Sequence, residues 1–357
     1  MRIIFINANL GSGGAEKMLA WLANCMVKDN EVTFLTYRDV NNALDFFELN
    51  NKINRIRLCT ETTDTGFFPS LNTINEIHKL LKINQYDIAV AFLSPSQLRL
   101  SVARIGTKTR ILFSQRGDPY QHASKGIKQI ISHLAFNLAD FYVFQTERAK
   151  EYYSNRIQNR STVIENPIKP LRRTVERTNE NIEKKIVTVS RLNIHQKRQD
   201  LLIEAFKRFH AVHTEYELHL YGDGPDRNEL QKLASDNENI IFDGEVSNVA
   251  EVIQNAAMFI LTSDYEGIPN ALLEAMSLGV PCISTDCSPG GAAVLIQDGE
   301  NGVLVNCGDI DGLYRKMLEF VSDRDKAEIM GNKARYVCTA FSTETIENKW
   351  HDVITNM

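Results

Sequence analysis

Residues 263–279 read SDYEGIPNALLEAMSLG and lie between two apolar runs, residues 258–261 and 280–284. Apolar runs of this length are typical of buried strands. Pro269 has the fixed φ that suits a first helical position, and Gly279 is placed to end the helix as its C-cap. The stretch therefore predicts a strand, a loop, a helix and a second strand in succession.

Two glutamates of this stretch, Glu266 and Glu274, are at most about 12 Å apart along a helix axis, at about 1.5 Å per residue. Glu266 falls in the loop that opens the helix, and Glu274 falls in its second turn. The loop N–H groups and the positive end of the helix point into the same space. A polyhydroxylated, anionic ligand would find acceptors and donors there. An ordinary amphipathic helix with solvated carboxylates explains the helix alone equally well.

The overall composition is that of an ordinary globular protein, and 357 residues are enough for two domains of usual size. No apolar run approaches the roughly 18 residues that would suggest a membrane span. The first residues, MRIIFI, are too short for a signal peptide and predict a strand. Six scattered cysteines favour reduced thiols in a cytoplasmic protein.

Charge is distributed unevenly. Residues 1–167 carry 20 Lys and Arg against 15 Asp and Glu, whereas residues 168–357 carry 20 against 30. A basic first half favours a peripheral contact with an anionic membrane face or a phosphate-bearing acceptor, and compositional scatter also accounts for it. The segment 125–131 combines lysines with apolar residues and predicts an interfacial face, or else an ordinary half-buried helix. No basic tract interleaved with aromatics is present, so nucleic acid is not a predicted partner.

Strand-like runs and helical patterns alternate through both halves, which predicts doubly wound parallel sheets with ligands at the strand carboxyl ends. A glycine-rich turn at residues 10–16 follows the first strand and precedes a helix. The backbone of Gly13 and Gly14 can approach a phosphate there. This turn lacks the third glycine of the dinucleotide fingerprint, so a nicotinamide site is poorly supported. A plain tight turn explains it as well.

From Glu266 to Pro281 the sequence resembles the carboxy-terminal signature of the family 4 glycosyltransferases: Glu-Gly-x-Pro at its start and Glu-Ala-x-x-x-Gly-x-Pro at its end. The early Gly-Gly-Ala-Glu turn, and the Ser-Arg-Leu run at 190–192 followed by Lys197, are similar to further motifs of that family. The resemblance covers nearly the whole chain and is strongest over residues 190–302. It implies an α/β fold with GT-B architecture, two Rossmann-like doubly wound domains that face each other across a cleft.

With this resemblance, the sequence predicts three parts. Residues 1–167 form an N-terminal Rossmann-like domain on the acceptor side, and residues 168–341 form a C-terminal Rossmann-like domain on the nucleotide-sugar donor side. Residues 342–357 form a C-terminal helix that packs back on the N-terminal domain. Two prolines and a polar run make residues 166–184 the expected crossing between domains.

The activity that the resemblance implies is retaining transfer of a hexose or N-acetylhexosamine from a nucleotide diphosphate sugar, expected to be a UDP-sugar. The expected acceptor is a glycan or a lipid-linked oligosaccharide, in surface polysaccharide or glycoconjugate synthesis, with the enzyme cytoplasmic or at the inner face of the cell membrane. No cofactor or metal is expected, because no second carboxylate forms an Asp-x-Asp pair with Asp223. A nucleotide-sugar epimerase of the same fold and a non-catalytic nucleotide-sugar-binding protein stay open as alternatives.

By the same resemblance, the catalytic residues are Glu266, beside the sugar hydroxyls, and Arg191 and Lys197, which hold the donor diphosphate. Two cations would stabilise the charge that a leaving diphosphate gains. A solvated basic loop is the alternative. Glu274 is expected to bind the nucleotide ribose. The remaining predicted donor-binding residues are Gly13, Gly14, Arg116, Gly222, Val246, Gly267, Ile268, Pro269, Asn270 and Ala271.

The loop at residues 114–119 departs from the family, which often has a histidine in this region. Here the loop offers Gln115, Arg116 and Asp118. Arg116 has the chemistry to bind a phosphate, and Asp118 to bind a sugar hydroxyl. A turn-closing ion pair between the two is the other interpretation.

Overall fold

The computed structural model describes residues 1–11, 13–38, 45–61, 69–121, 126–168, 177 and 180–357. The chain divides into two units. The first comprises Met1–Glu165 together with Ile346–Met357, and the second comprises Asn166–Thr345. The sequence places these divisions at 167/168 and 341/342. The expected crossing at 166–184 lies partly outside the described residues.

The first unit is built on a parallel sheet, which has seven strands among the described residues. The strands are β1 (Arg2–Asn7), β2 (Glu31–Thr36), β3 (Asn54–Arg57), β4 (Ile88–Ala91), β5 (Arg110–Ser114), β6 (Phe141–Phe144) and β7 (Ser161–Val163). Their order across the sheet is β3-β2-β1-β4-β5-β6-β7. The central strands are continuous apolar runs because helices cover both faces of such a sheet.

Six helices join these strands within the described part of the unit. They are α1 (Gly14–Met26), α2 (Leu71–Asn84), α3 (Ser94–Ala103), α4 (Ile127–Phe136), α5 (Glu147–Glu151) and α6 (Asn155–Gln158). The sequence predicts a longer α4 over 125–138, and its first residue, Lys125, lies outside the described residues. The strand β3 is not predicted, because NRIR carries no apolar run or clear alternation.

The second unit repeats the architecture around a parallel sheet of six strands in the described range 180–357. Its strands are β8 (Glu183–Val189), β9 (Glu217–Tyr221), β10 (Ile240–Gly244), β11 (Ala256–Leu261), β12 (Cys282–Thr285) and β13 (Val303–Val305). Their order is β10-β9-β8-β11-β12-β13. The sheet order places the chain's change of direction between β8 and β11.

The helices of the second unit cover both faces of its sheet. They are α7 (Ile194–Lys197), α8 (Gln199–His210), α9 (Arg227–Leu233), α10 (Val249–Ile253), α11 (Asn270–Ser277), α12 (Gly291–Leu295), α13 (Ile310–Ser322), α14 (Arg324–Ala334) and α15 (Val337–Ala340). Buried aliphatic and aromatic residues of the strands, α8, α13 and α14 form the core of this unit. Across the described residues, no helix is both long and apolar enough to cross a membrane.

The last helix, α16 (Thr343–Asn356), belongs to the first unit from Ile346 onward. Trp350 is fully buried and stacks on Phe92 with 5.8 Å between ring centroids. Lys349 Nζ donates to Glu165 at 2.7 Å. The end of the chain therefore completes the core of the unit in which the chain begins.

A buried ion pair stabilises the first unit. The guanidinium of Arg99 donates to Glu61 through Nε at 2.9 Å and Nη2 at 2.6 Å, and both side chains are 0% exposed. The guanidinium also lies 4.7 Å from the ring centroid of Tyr37. Such a pair offsets its desolvation only while both partners remain, so its loss leaves an uncompensated buried charge.

We expect Glu61→Gln to lower the free energy of unfolding by about 3–5 kcal/mol, because it leaves the buried Arg99 charge without a counter-charge. Chemical denaturation measures this. The control is Glu31→Gln, since Glu31 and its partner Arg2 are 79% and 46% exposed and such surface pairs are worth about 0–1 kcal/mol. Equal losses in the two variants would contradict the role assigned to Glu61.

The same pair predicts a pH dependence. Burial alone would raise the pKa of Glu61, but the hydrogen bonds from Arg99 and from the Ser70 N–H outweigh it, so the pKa lies below its ordinary value of 4.5. A lowered folded-state pKa gives stability that is present above 4.5 and is lost as pH falls through the folded value. Acid titration of unfolding should show this loss in the wild type and a smaller one in Glu61→Gln.

Candidate active site

The second sheet brings two loops together at its carboxyl edge. From β8 the chain moves to β9 on one side, whereas from β11 it moves to β12 on the other. The loops that follow β8 and β11 therefore leave adjacent strands at a topological switch point. In open α/β sheets this is where ligands bind. The predicted catalytic residues of this chain lie in these two loops.

The loop after β8 carries Arg191, and hydrogen bonds made by the side chains of Gln199, at the start of α8, and of Asn193 hold its backbone. Gln199 Nε2 donates to Ser190 Oγ at 2.9 Å and to the Arg191 carbonyl at 2.8 Å. The Asn193 side chain caps the short helix α7 by accepting from the Gln196 N–H at 2.9 Å. Arg191 itself is exposed, so its guanidinium is accessible to a ligand while its backbone is held.

Two glycines support this loop from the turn after β9. A Cβ on Gly222 would lie 2.1 Å from the Ser190 carbonyl oxygen, and one on Gly224 would lie 2.2 Å from that of Leu192. The Leu192 N–H donates to the Asp223 carbonyl at 3.0 Å. Gly222 thus lies against the backbone of the Arg191 loop, where only glycine allows so close an approach. Its direct role in donor binding remains a prediction.

The loops after β8 and β11 are joined by an ion pair between Lys197 and Glu266. Both side chains are mostly buried, at 16% and 11% exposed. Ser263 Oγ donates a further hydrogen bond to Glu266 Oε1 at 2.9 Å. Two of the predicted catalytic residues therefore touch directly, and Ser263 orients the carboxylate. Ser263 was missed from the sequence, where a serine ahead of the motif carries no distinctive signal.

The Glu266 loop is also held by the loop that follows β12. The Glu266 N–H donates to the Ser288 carbonyl at 2.8 Å. Gly290 has φ +86°, and a Cβ on Gly291 would lie only 1.6 Å from the Gly267 carbonyl oxygen. Helix α12 can start this close to the Glu266 loop only because residue 291 has no side chain.

Helix α11 begins at the predicted place with one correction. Pro269 is its N-cap, with φ −75° and ψ 105°, and Asn270 is the first helical residue. Because Pro269 has no N–H, it can contact a ligand through its ring but cannot donate a backbone hydrogen bond to it. The helix ends at Ser277 with Leu278 as its C-cap, so the predicted C-cap Gly279 lies one residue further on, in the left-handed region with φ +67°. The Gly279 and Val280 N–H groups donate to Met276 and Ala275, the pattern of a Schellman motif.

The other predicted donor residues of this unit lie around these elements. Ile268 is buried, and its carbonyl accepts from Asn166 Nδ2 at 3.3 Å. The same Nδ2 donates to Asn270 Oδ1 at 2.8 Å. Ala271 and Glu274 are half-buried on α11, and Val246 is half-buried in the loop after β10. The predicted roles of these residues in donor binding remain predictions.

Arg198 is a charged residue at this edge that the sequence did not single out. It lies between α7 and α8 in the left-handed region, with φ +50°, and bridges Asp200 and Asp264 at 3.1 Å each. The hydrogen bonds that Arg198 donates to Asp200 are the main cause that raises the pKa of Arg198. Its neighbours in sequence, Lys197 and Asp200, were a signal that a charge network could form here. Arg198 is engaged within the protein, so Arg191 and Lys197 are the better candidates for binding an anion.

Gly13, Gly14 and Arg116 lie in the first unit. Gly13 is the N-cap of α1, and Gly14 is its first residue. The Arg116 guanidinium lies 4.8 Å from the ring centroid of Phe92 and 5.2 Å from that of Trp350, and burial lowers its pKa. It therefore forms part of an aromatic cluster of this unit.

Nearby thiols and carboxylates give little support to other chemistries. Cys287 is buried, and burial raises the pKa of its thiol to about 12, so it is a neutral thiol at neutral pH and a poor nucleophile. Within the described residues, no group of three or more His, Cys, Asp or Glu side chains is placed to hold a metal ion. Metal independence remains a prediction.

Comparison with known proteins finds a family that matches part of the second unit. Residues 183–323 match the family described as Glycosyl transferases group 1. The chain is 27% identical over 359 residues, 99% of its length and 98% of the relative's, to the Campylobacter jejuni GalNAc-alpha-(1->4)-GalNAc-alpha-(1->3)-diNAcBac-PP-undecaprenol alpha-1,4-N-acetyl-D-galactosaminyltransferase. It is also 27% identical over 341 residues, 90% of its length and 89% of the relative's, to the Escherichia coli K12 lipopolysaccharide 1,6-galactosyltransferase.

A solved structure supports the fold of the whole chain. The structure of Anabaena HepE in complex with UDP aligns with this chain at a TM-score of 0.81 and 16% identity. The alignment covers 100% of both chains. Identity this low shows the fold alone. Together with the two parallel sheets, it confirms the predicted fold class of two doubly wound α/β domains.

We expect Gly291→Ala to destabilise the second unit, because its Cβ would overlap the Gly267 carbonyl and force the Glu266 loop to move. Overpacking of this kind costs about 1–3 kcal/mol. Thermal unfolding measures the effect. Gly117→Ala is the control, because no atom lies within 4 Å of a Cβ at that position. A Gly291→Ala variant as stable as Gly117→Ala would contradict the close approach.

Proposed function

Since this chain is a glycosyltransferase with a group 1 glycosyltransferase domain at residues 183–323, we propose that it transfers a hexose or N-acetylhexosamine from a UDP-sugar with retention of configuration. The proposed acceptor is a glycan or lipid-linked oligosaccharide in surface polysaccharide or glycoconjugate synthesis, presented at the inner face of a membrane. The observation that carries the proposal is the meeting of Lys197 and Glu266 at the switch point of the second sheet.

The donor diphosphate is proposed to bind between Arg191 and Lys197. A lysine ammonium has three donors, and Glu266 takes one of them, so Lys197 can contact a phosphate oxygen while it stays paired. Arg191 is exposed on a loop with a fixed backbone. Cations placed in advance stabilise the charge that the diphosphate gains as the glycosidic bond breaks, without reorganisation at that moment.

The sugar and ribose are proposed to bind along the Glu266 loop and α11. Glu266 would accept hydrogen bonds from sugar hydroxyls, and the N–H groups at the start of α11 would donate to the donor. Glu274 lies one turn further along the helix and is half-buried. An ionised carboxylate accepts from two vicinal hydroxyls at once, which suits a ribose better than a diphosphate that would repel it.

Retention is proposed to proceed on one face of the sugar. The bond between the anomeric carbon and the diphosphate oxygen breaks, and its electron pair stays on the diphosphate. The acceptor hydroxyl oxygen then bonds to the same face of that carbon, and its proton passes to a diphosphate oxygen. Glu266 already binds Lys197 and Ser263 through Oε1, which suits a carboxylate that orients the sugar.

The acceptor class is inferred from relatives. The Campylobacter jejuni relative is named for an undecaprenol-diphosphate-linked acceptor, and the Escherichia coli relative for lipopolysaccharide. Both alignments span most of each chain. A glycan carried on a lipid is therefore the proposed acceptor class here.

The proposal is tested by incubating the protein with a panel of UDP-sugars and other nucleotide sugars, with and without lipid-linked glycans, followed by mass spectrometry and NMR of the products. We expect an α-linked sugar from one UDP-sugar and unchanged activity in EDTA. A Mg²⁺-reversible loss in EDTA would overturn metal independence. An epimerised donor without transfer would favour the epimerase alternative, and tight binding without turnover would favour a non-catalytic binding protein.

Variants of the site should separate two roles. Arg191→Ala and Lys197→Ala are each expected to lower kcat/KM by about 100-fold or more, the usual cost of one oxyanion-stabilising group. Glu274→Gln is expected to weaken UDP binding about 10-fold or more, as for a lost charge-assisted hydrogen bond. Steady-state kinetics and calorimetric titration of UDP measure the two effects.

The controls for these variants are Lys316→Ala and Glu319→Gln, an exposed ion pair on α13 of the same unit. Both should retain wild-type kinetics and UDP affinity. Near-normal kcat/KM in both cation variants would refute the diphosphate assignment. For Glu274, the decisive comparison is between UDP and 2′-deoxy-UDP. The wild type should bind 2′-deoxy-UDP more weakly than UDP, and this difference in affinity should largely vanish in Glu274→Gln.

A further inference from the structure

Exposed apolar side chains are concentrated on one helix of the first unit. Ile127, Ile130 and Leu134 of α4, and Leu138 just beyond it, are 63%, 56%, 63% and 51% exposed. Their spacing of three to four residues puts them on one stripe of the helix. We call these four residues the α4 face. Single exposed apolar residues need no explanation, but a contiguous stripe marks an interaction surface.

The opposite side of α4 anchors the helix to the unit. Ala135 and Phe136 are buried, and Ser101 Oγ of α3 donates to the Ala135 carbonyl at 2.8 Å. The Phe136 ring packs against those of Phe113 and Tyr142. The helix therefore has its core side fixed, and the α4 face is the side that remains toward solvent.

The end of α3 extends this surface. Arg104 Nη1 donates to the Leu138 carbonyl at 3.5 Å, so the ends of the two helices are adjacent. Val102 and Ile105, on either side of Arg104, are exposed as well. The apolar surface thus spans two neighbouring helices rather than one.

The segment that carries this surface is predominantly basic, although Asp140 pairs with Arg104. Residues 99–160 contain eleven Lys and Arg against four Asp and Glu, whereas the rest of residues 1–167 contain nine against eleven. Lys128 directly follows Ile127, Lys108 and Arg110 come three and five residues after Ile105, and all three basic residues are exposed. The basic excess of the first half is therefore concentrated in the segment that carries the α4 face.

A tyrosine pair lies beside α4. Tyr120 is exposed and meets the Tyr152 ring edge-on, with 4.9 Å between centroids. The Tyr152 ring in turn lies 6.2 Å from that of His133 on α4. Tyrosine is enriched at membrane interfaces because it joins an apolar ring to a polar hydroxyl.

We propose that the α4 face, with Val102 and Ile105, is a docking surface for an anionic lipid bilayer. The apolar stripe enters the boundary between headgroups and acyl chains, and Lys108, Arg110 and Lys128 bind the anionic headgroups. Charge complementarity selects this partner, since a second copy of this chain would bring the same basic residues against each other. The proposal deepens the proposed function by naming the surface that would bring the enzyme to a lipid-linked acceptor. That use of the surface rests on the proposed function, whereas binding to the bilayer does not.

The test is co-sedimentation of the whole protein with vesicles of phosphatidylglycerol and phosphatidylcholine, and with vesicles of phosphatidylcholine alone. We expect binding to the anionic vesicles at low salt and a marked decrease in about 1 M salt, where the screening length is about 3 Å. Failure of the wild type to bind anionic vesicles at low salt would overturn the proposal. No donor or acceptor is present, so this outcome is independent of any failure to transfer sugar.

Two variant pairs locate the surface. Ile130→Ser with Leu134→Ser, and separately Lys108→Glu with Lys128→Glu, should each lower the vesicle partition coefficient by about 10-fold or more. Leu71→Ser with Ile83→Ser is the apolar control, because these α2 residues are even more exposed than those of the α4 face. Lys82→Glu is the charge control. Circular dichroism and transfer to a water-soluble acceptor confirm that each variant is folded and active.

Each remaining outcome decides the proposal. Undiminished binding in both variant pairs would overturn it, as would an equal loss in the controls. Sedimentation velocity tests the rival occupant. A concentration-dependent dimer that the Ile130/Leu134 variant abolishes, together with wild-type vesicle binding by that variant, would assign the surface to a second copy of the chain.

Discussion

The ion pair between Lys197 and Glu266 connects loops from two neighbouring strands, although the residues are 69 positions apart in the chain. Removing charges from water costs on the order of several kcal/mol per ion unless the geometry is good and further hydrogen bonds are made. Ser263 supplies one such bond. The pair can form because parallel pairing of β8 with β11 brings both loops to the same edge of the sheet. The donor site proposed here depends on this arrangement.

The sequence was sufficient for the fold class and for the motif residues. Alternating apolar runs and helical periodicity predict the two doubly wound sheets, because buried parallel strands and amphipathic helices leave distinct patterns. Glycine at position 279 predicts the end of α11, since only a residue tolerant of positive φ fits there. Arg191, Lys197 and Glu266 were identified by their place in the motifs, and two of them are in contact.

The contacts that fix the site could not be predicted, because they join residues far apart in sequence. The packing of loops around the sheet edge brings Gly291 against Gly267. It also brings Gly222 against Ser190. In the sequence Gly291 passes as an ordinary turn residue, and Gly222 and Gly267 were predicted as donor-binding residues without these backbone contacts. Arg198 was missed for a related reason. Its left-handed conformation is set by the junction of α7 with α8, and an arginine gives no local signal of positive φ.

The return of α16 to the first unit has a consequence for synthesis on the ribosome. Trp350 covers Phe92, but about 180 residues of the second unit are translated between the two segments of the first. At about 5–20 residues per second, translation of these residues alone delays the arrival of Trp350 by roughly 9–36 s. During that interval the nascent first unit exposes an apolar surface of the kind that chaperones bind. The first unit therefore begins to be translated before the second and is completed after it.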